Sequence, residues 1–167
     1  VAMPSYDLCP DVTIAEITRQ IACAVTTAAA EINGPIALAG HSAGGHLVAR
    51  MAVAGMLEDD VAQRIQSIVP ISPVADLRPL LKTSMNAQLG LDMAAARAES
   101  PVLMQPMDIP VTVWVGASER PAFLDQARWL AKAWPDTNCE IEPGKHHFDV
   151  IDGLLRADSA LMRAILD

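Results

Sequence analysis

Ser42 lies between Gly40 and Gly44 in a segment with the pattern G-x-S-x-G. An apolar run precedes the segment and a helix-compatible run follows it. In this context of strand, sharp turn and helix, a strained turn exposes the serine hydroxyl as a nucleophile. We predict that the two glycines provide room where side chains of strand and helix would collide. The N–H of Ala43, at the start of the helix, would stabilise an oxyanion.

A serine hydroxyl is a weak nucleophile at neutral pH and needs a base within hydrogen-bond reach. The chain has four histidines. His147 and His146 follow the last strand-like run, and we favour His147 because Phe148 beside it would anchor the loop in apolar surroundings, which leaves His146 at the rim. His41 is predicted to pack beside the strand, and His46 to lie behind the site or in the core.

The base in turn needs a carboxylate that orients it. Glu119 follows a β-prone run by a few residues, and the order serine, acid, histidine is the one expected for a nucleophile elbow. Asp76, which follows the preceding strand-like run, is the alternative acid. Asp125 is predicted on a helix facing solvent, and Asp149 is too close to the histidine in sequence to orient it easily.

The elements that must position these residues alternate between β and α patterns. A capping box of Thr13 and Glu16 predicts a helix that Asn33–Pro35 stops. Strand patterns cover 1–6, 35–40, 65–72, 110–116 and 139–142, and further helix patterns 43–55, 123–134, 150–155 and 160–166. This alternation predicts an α/β fold with a mostly parallel sheet and helices on both faces. Ligands bind at the carboxyl ends of such strands.

Residues 76–104 have no strand pattern and suggest short helices broken at Pro79, Gly90 and Pro101. An insertion of this kind at the top of a sheet is typical of a lid or a pocket wall. Four large apolar side chains in or near it are candidates for the wall of a substrate pocket: Met85, Leu89, Met104 and Trp114.

Composition restricts the kinds of partner. The 167 residues carry a net charge of −8 without a basic cluster, which argues against nucleic acid or an anionic membrane. No apolar run is long enough to cross a membrane, and no secretory signal is visible. The three cysteines form neither a metal-binding pattern nor a disulfide framework, so a reducing cytoplasm is the expected compartment. The proposed chemistry requires no metal and no cofactor.

Five segments together resemble one family. They are 40–47, 71–80, 100–101, 115–123 and 147–151, and they are similar to the kynurenine formamidase (arylformamidase) branch of α/β-hydrolases, which adjoins the small carboxylesterases. The resemblance covers nearly the whole chain. It implies an α/β-hydrolase fold with Ser42 as nucleophile, Glu119 as acid and His147 as base.

The chain departs from that family in two respects. The family usually has aspartate where this chain has Glu119, which keeps Asp76 open as a substitute. Family members also carry a His-Gly-Gly oxyanion segment ahead of the region that begins here. We therefore expect residues 1–167 to be the C-terminal part of one α/β-hydrolase domain that lacks its N-terminal strands, with roughly 90–100 further residues present as a separate N-terminal segment.

The expected function is that of a serine hydrolase that cleaves an aryl formamide such as N-formylkynurenine with a Ser-His-Glu triad. A carboxylesterase for short acyl esters is one alternative, and a non-catalytic binding subunit with a hydrolase fold is the other. The expected partners are a small-molecule ester or formamide and the N-terminal segment, with neither nucleic acid nor membrane. We also consider a homodimer.

Overall fold

The structure, a computed structural model, describes residues 1–166. Its centre is a four-stranded sheet in the order β1-β2-β3-β4, with every neighbouring pair parallel. The strands are β1 (Ile36–His41), β2 (Ile65–Ile71), β3 (Thr112–Gly116) and β4 (Asn138–Glu142). Each parallel neighbour requires a crossover connection, and the helices supply it.

Residues 1–166 contain seven α-helices. They are α1 (Ile14–Glu31), α2 (Ala43–Met51), α3 (Asp59–Ala62), α4 (Asn86–Leu89), α5 (Met93–Ala98), α6 (Pro121–Ala133) and α7 (Ala160–Leu166). Shorter 3₁₀ turns cover Arg78–Lys82, Pro101–Leu103 and Val150–Leu155. Apart from the strand expected at 1–6, the strands and the starts of the predicted helices agree with the sequence patterns to within a few residues. Thr13, for example, caps α1 by accepting a hydrogen bond from the Glu16 N–H.

The central strands β2 and β3 are largely buried, as their near-continuous apolar runs predict, whereas β1 and β4 at the two ends of the sheet each leave residues exposed. Successive side chains of a strand point to opposite faces. On β3, Val113 and Val115 join the core beneath α1, α2 and α6, whereas Trp114 joins a second core with Val150 and Leu161. The sheet is therefore covered by helices on one face and by α7 with the preceding 3₁₀ turn on the other.

Two sequence-based predictions are wrong. Residues 1–6 form no strand; they are largely exposed and no strand within residues 1–166 pairs with them. The helix after Ser42 ends at Met51 rather than near Gly55, where Val53 leaves the helix to form an antiparallel bridge with Pro106. Residues 150–155 are helical, as predicted, and the helix is of the 3₁₀ type. Within it, Gly153 packs so closely on α7 that an added Cβ would lie 2.9 Å from Leu161.

The insertion at 76–104 contains only short helical pieces, as its pattern predicts. Gly90 ends α4 with a φ of 62°, and Pro79 and Pro101 begin 3₁₀ turns. Among the helices of residues 1–166, none has both the length and the apolar character that a membrane crossing requires.

Candidate active site

Ser42 occupies a strained turn between β1 and α2. Its φ is 56° and its ψ is −112°, a conformation that side chains rarely adopt. A Cβ added to Gly40 would lie 2.3 Å from the Gly44 carbonyl oxygen, and one on Gly45 would lie 2.8 Å from the Ile71 oxygen. Gly40 and Gly45 are thus the glycines that permit the elbow. The prediction for Gly44 is wrong, since nothing lies within 4 Å of its added Cβ.

Two further loops reach the same edge of the sheet. The acid loop, residues 117–120, leaves β3, and the base loop, residues 143–149, leaves β4. Backbone hydrogen bonds join them: the Ser118 N–H donates to the Lys145 oxygen at 2.8 Å, and the Ala117 N–H donates to the Glu142 oxygen at 2.8 Å. Gly116 allows this approach, because an added Cβ would lie 2.3 Å from the Lys145 oxygen.

The three loops bring Ser42, His147 and Glu119 into one hydrogen-bonded chain. His147 Nε2 lies 3.1 Å from Ser42 Oγ, and His147 Nδ1 lies 2.7 Å from Glu119 Oε2. A carboxylate can only accept, so the proton of the neutral imidazole lies on Nδ1. Nε2 is then free to accept the serine proton. The Glu119 side chain is fully buried, and its other oxygen, Oε1, accepts from Ser72 Oγ at 2.5 Å and from the Gly116 N–H at 2.9 Å.

Two rings that the sequence analysis missed hold the imidazole of His147. Phe123 stacks on it with ring centroids 4.0 Å apart, and His41 lies 4.6 Å away on a tilted plane. Burial chiefly, and the charge of His147 next, lower the pKa of His41. A neutral His41 places no second cation beside the imidazolium that proton transfer would create. Among the sequence features, two could have indicated these contacts with His147: the position of His41 in the elbow and the position of Phe123 near the start of a helix.

The neighbours of His147 in the base loop lie outward. Phe148 is 79% exposed, so the prediction that it anchors the loop in apolar surroundings is wrong. His146 is exposed, as predicted for a rim residue, and Asp149 accepts from its N–H at 2.6 Å. The anchoring comes instead from the backbone bonds to the acid loop and from the stack on Phe123.

Asp76, the alternative acid, has a different partner. Its carboxylate accepts from the Arg78 guanidinium, with Nη2 at 2.6 Å from Oδ2, and from the Arg78 N–H at 3.0 Å. The hydrogen bond from Arg78 is the main cause that lowers the pKa of Asp76. Gln126 bonds the backbone of Asp76 in both directions. Within residues 1–166, no hydrogen bond joins Asp76 to His147, so the structure pairs the imidazole with Glu119.

His46 is buried behind the nucleophile, in agreement with its predicted position. Its Nε2 lies 2.7 Å from the Glu99 backbone oxygen, to which only an N–H can donate. Burial lowers the pKa of His46, so the ring is neutral. The Glu99 side chain accepts from Arg50 Nε at 3.1 Å and from Thr18 Oγ1 at 2.8 Å. This network ties α1 and α2 to the end of α5.

A cavity of about 430 Å³ opens beside Ser42. Its wall includes Met85 and Leu89, both named as candidates from the sequence. Met104 and Trp114 do not line it. Met104 instead packs against Arg50, and Trp114 points to the other face of the sheet, where its Nε1 donates to Glu142. The wall contains no charged side chain; its other members are Tyr6, Leu8, Cys9, Ile14, Ile17, Ala43, His46, Leu47, Val74, Leu77, Leu80, Gln88, Ala122, Phe123 and Gln126.

Ala43 is the first residue of α2, so its N–H lies at the positive end of the helix dipole and beside Ser42. It makes no hydrogen bond to another group of residues 1–166. Within the same residues, no three His, Cys, Asp or Glu side chains are grouped as a metal site would require. The contact between His147 Nε2 and Ser42 Oγ makes nucleophilic attack by a serine with a hydrogen-bonded base available at this edge.

A parallel sheet with a serine elbow and these two loops defines a known class of protein. Residues 1–142 match a family model described as the alpha/beta hydrolase fold, and the chain belongs to that family.

The chain is also similar to individual proteins of known name or structure. The chain is 28% identical over 181 residues to a kynurenine formamidase from Salmo salar, and the match covers 99% of this chain and 61% of that protein. It is 28% identical over 182 residues to a kynurenine formamidase from Drosophila melanogaster, with 98% and 60% covered. It superposes with a TM-score of 0.96 and 60% identity on the crystal structure of a Silicibacter protein provisionally named a thioesterase, with 99% and 63% covered. The chain thus spans about three-fifths of the length of these relatives.

Proposed function

We propose that the protein is a serine hydrolase in which Ser42 is the nucleophile, His147 the base and Glu119 the acid. The observation that carries the proposal is the unbroken hydrogen-bonded chain from Ser42 Oγ through both ring nitrogens of His147 to Glu119. The protonation state that this chain requires, with Nε2 free to accept, is the one a general base needs.

In the proposed reaction, Ser42 Oγ attacks a carbonyl carbon while its proton passes to His147 Nε2. The oxyanion that forms accepts a hydrogen bond from the Ala43 N–H. The imidazolium then gives its proton to the leaving nitrogen or oxygen, and the bond to the leaving group breaks. Water attacks the acyl- or formyl-serine while His147 takes a proton from that water. The bond between the acyl carbon and Ser42 Oγ then breaks, the proton returns to Ser42 Oγ, and the carboxylic acid is released.

For the substrate, we propose an aryl formamide such as N-formylkynurenine. The support is that relatives aligned with 98–99% of this chain are named kynurenine formamidases. A formyl group is small, and an apolar cavity beside Ser42 suits an aromatic group on the other side of the bond that breaks.

An ester or thioester of a short acyl group is the second candidate. The observation that favours it is the 60% identity to the Silicibacter protein that carries a thioesterase name. The uncharged cavity wall also suits an apolar acyl or alcohol group. Formamides, esters and thioesters share the same acyl-transfer steps, so the cavity and the leaving group decide between them.

The test compares three substrates on the full-length protein: N-formylkynurenine, p-nitrophenyl acetate and an acetyl thioester. Formamide hydrolysis with the highest kcat/KM supports the first candidate, and a preference for either ester supports the second. Ser42→Ala is the control and should abolish all three activities. If a serine-reactive fluorophosphonate does not label Ser42 and no substrate turns over, the chain belongs to a binding subunit and the proposal is wrong.

A further inference from the structure

Ser72 lies where β2 ends, between the elbow and the acid loop. It is fully buried, with none of its surface exposed. Backbone bonds tie this position to both sides: the Ser42 N–H donates to the Ile71 oxygen at 2.9 Å, and the Ser72 N–H donates to the Trp114 oxygen at 2.7 Å. The added-Cβ contacts of Gly45 with Ile71 and Pro73 show how closely α2 packs on the same segment.

The backbone of Ser72 is in an unfavourable conformation. Its φ is 46°, in the left-handed region that non-glycine residues seldom occupy. It also precedes Pro73, and a residue before proline favours extended backbone. A serine retained in a glycine-like conformation indicates that the hydroxyl has a use, since glycine would fit this backbone without strain.

Among residues 1–166 the hydroxyl has one hydrogen-bond partner, the Oε1 atom of Glu119, at 2.5 Å. Since a carboxylate only accepts, Ser72 is the donor. Gly116 donates to the same oxygen, so two donors hold Oε1 and the remaining oxygen, Oε2, faces His147. We propose that Ser72 is a positioning residue that acts through Glu119, fixing the rotation of this carboxylate so that Oε2 meets the imidazole. The inference rests on the proposed function.

Glutamate has one more rotatable bond than aspartate, so its carboxylate needs more restraint to stay in one orientation. Without the Ser72 hydroxyl, the Gly116 N–H would be the one remaining donor to Oε1 among residues 1–166. The hydroxyl of Ser72 supplies the second fixed point, and a hydrogen bond to a charged group is among the stronger ones. The pair Ser72–Glu119 thus explains how a glutamate can serve at this position.

The test uses p-nitrophenyl acetate hydrolysis and the rate of fluorophosphonate labelling on the full-length protein. Ser72→Ala should lower kcat about 10–100-fold, as loss of a hydrogen bond to a charge predicts, with KM changed less than about threefold. Ser72→Gly removes the same hydroxyl but relieves the backbone, so it should lose as much activity while staying folded. Ser118→Ala is the matched control, because that exposed hydroxyl makes no hydrogen bond within residues 1–166.

A second comparison asks whether Ser72 acts through the acid. In a Glu119→Ala background, Ser72→Ala should cause no additional loss. A loss under about fivefold in both Ser72 variants overturns the inference. So does full activity in Ser72→Gly, which would assign the effect to the backbone, or an undiminished loss in the Glu119→Ala background. Ser42→Ala separates the two hypotheses: if it stays active, the proposed function fails, and the inference fails with it.

Discussion

Exchange of Glu119 for glutamine tests the role of the acid, because the hydrogen-bond donors around this side chain determine the orientation of the new amide group. Oε1 accepts from the Gly116 N–H, a donor that cannot reverse its role. The oxygen of the new side-chain amide must therefore take this place, and its NH₂ group must face His147 Nδ1. Nδ1 then has to accept, which moves the ring proton to Nε2 and points it at Ser42. The base would be present but in the wrong tautomer.

The expected loss follows from that inversion. A carboxylate-to-amide change that inverts the tautomer in a serine triad costs on the order of 10⁴ in kcat, so we expect a loss of about 10³–10⁴-fold, or about 4–5.5 kcal/mol of barrier at about 1.36 kcal/mol per decade. KM should change little, because the buried carboxylate does not line the cavity. The two side chains have nearly the same shape, so the melting temperature should remain within a few degrees of the parent value.

The assay is p-nitrophenyl acetate hydrolysis by the full-length Glu119→Gln protein, with a thermal melt for folding. Asp76→Asn is the matched control, since Asp76 bonds Arg78 and not the imidazole. It should retain kcat within a few-fold, although the weakened contact to Arg78 lowers stability. The acid assignment would be refuted if Glu119→Gln lost less than tenfold while Asp76→Asn lost a thousandfold.

Two further predictions concern the elbow and its support. Gly40→Ala should destabilise the fold by at least about 2 kcal/mol, because its Cβ would lie 2.3 Å from a backbone oxygen. Gly44→Ala should instead melt at or above the temperature of the parent protein. Equal melting temperatures for the two variants would contradict this prediction. Burial lowers the pKa of His46 in the folded protein. Below about pH 6.5 the unfolded chain therefore binds a proton that the native state does not bind. The free energy of unfolding should then fall by up to about 1.4 kcal/mol for each unit by which the pH is lowered. Urea unfolding between about pH 7.5 and 5.5 should therefore be less pH-dependent for His46→Gln, and an unchanged slope would show that another group causes the decline.

Local signals predicted much of the fold. The capping box at Thr13, the four apolar strand runs and the glycines about Ser42 act over a few residues, so sequence alone places α1, the sheet strands and the elbow. The strand expected at 1–6 would need a neighbouring strand with which to form hydrogen bonds. The pattern of apolar residues does not show whether such a neighbour exists.

The site was predictable only in part. The order along the chain placed Ser42, Glu119 and His147 after the strands that the structure shows as β1, β3 and β4, and these are the three residues that the structure brings together. The role of Ser72 depends on a left-handed backbone before a proline, where the sequence rule expects the opposite. The outward position of Phe148 and the stack of Phe123 on His147 depend on tertiary packing that neighbouring residues do not specify.

Apart from the contact between His147 and Glu119, backbone atoms fasten the acid loop to β4 and the base loop. These backbone hydrogen bonds consequently do not depend on which side chains most of the loop residues carry. Ala117 and Ser118 are exposed and contribute N–H groups that nearly every amino acid possesses. Substitutions can accumulate there over evolutionary time without moving the imidazole, provided that position 116 keeps its glycine and no proline enters at 117 or 118.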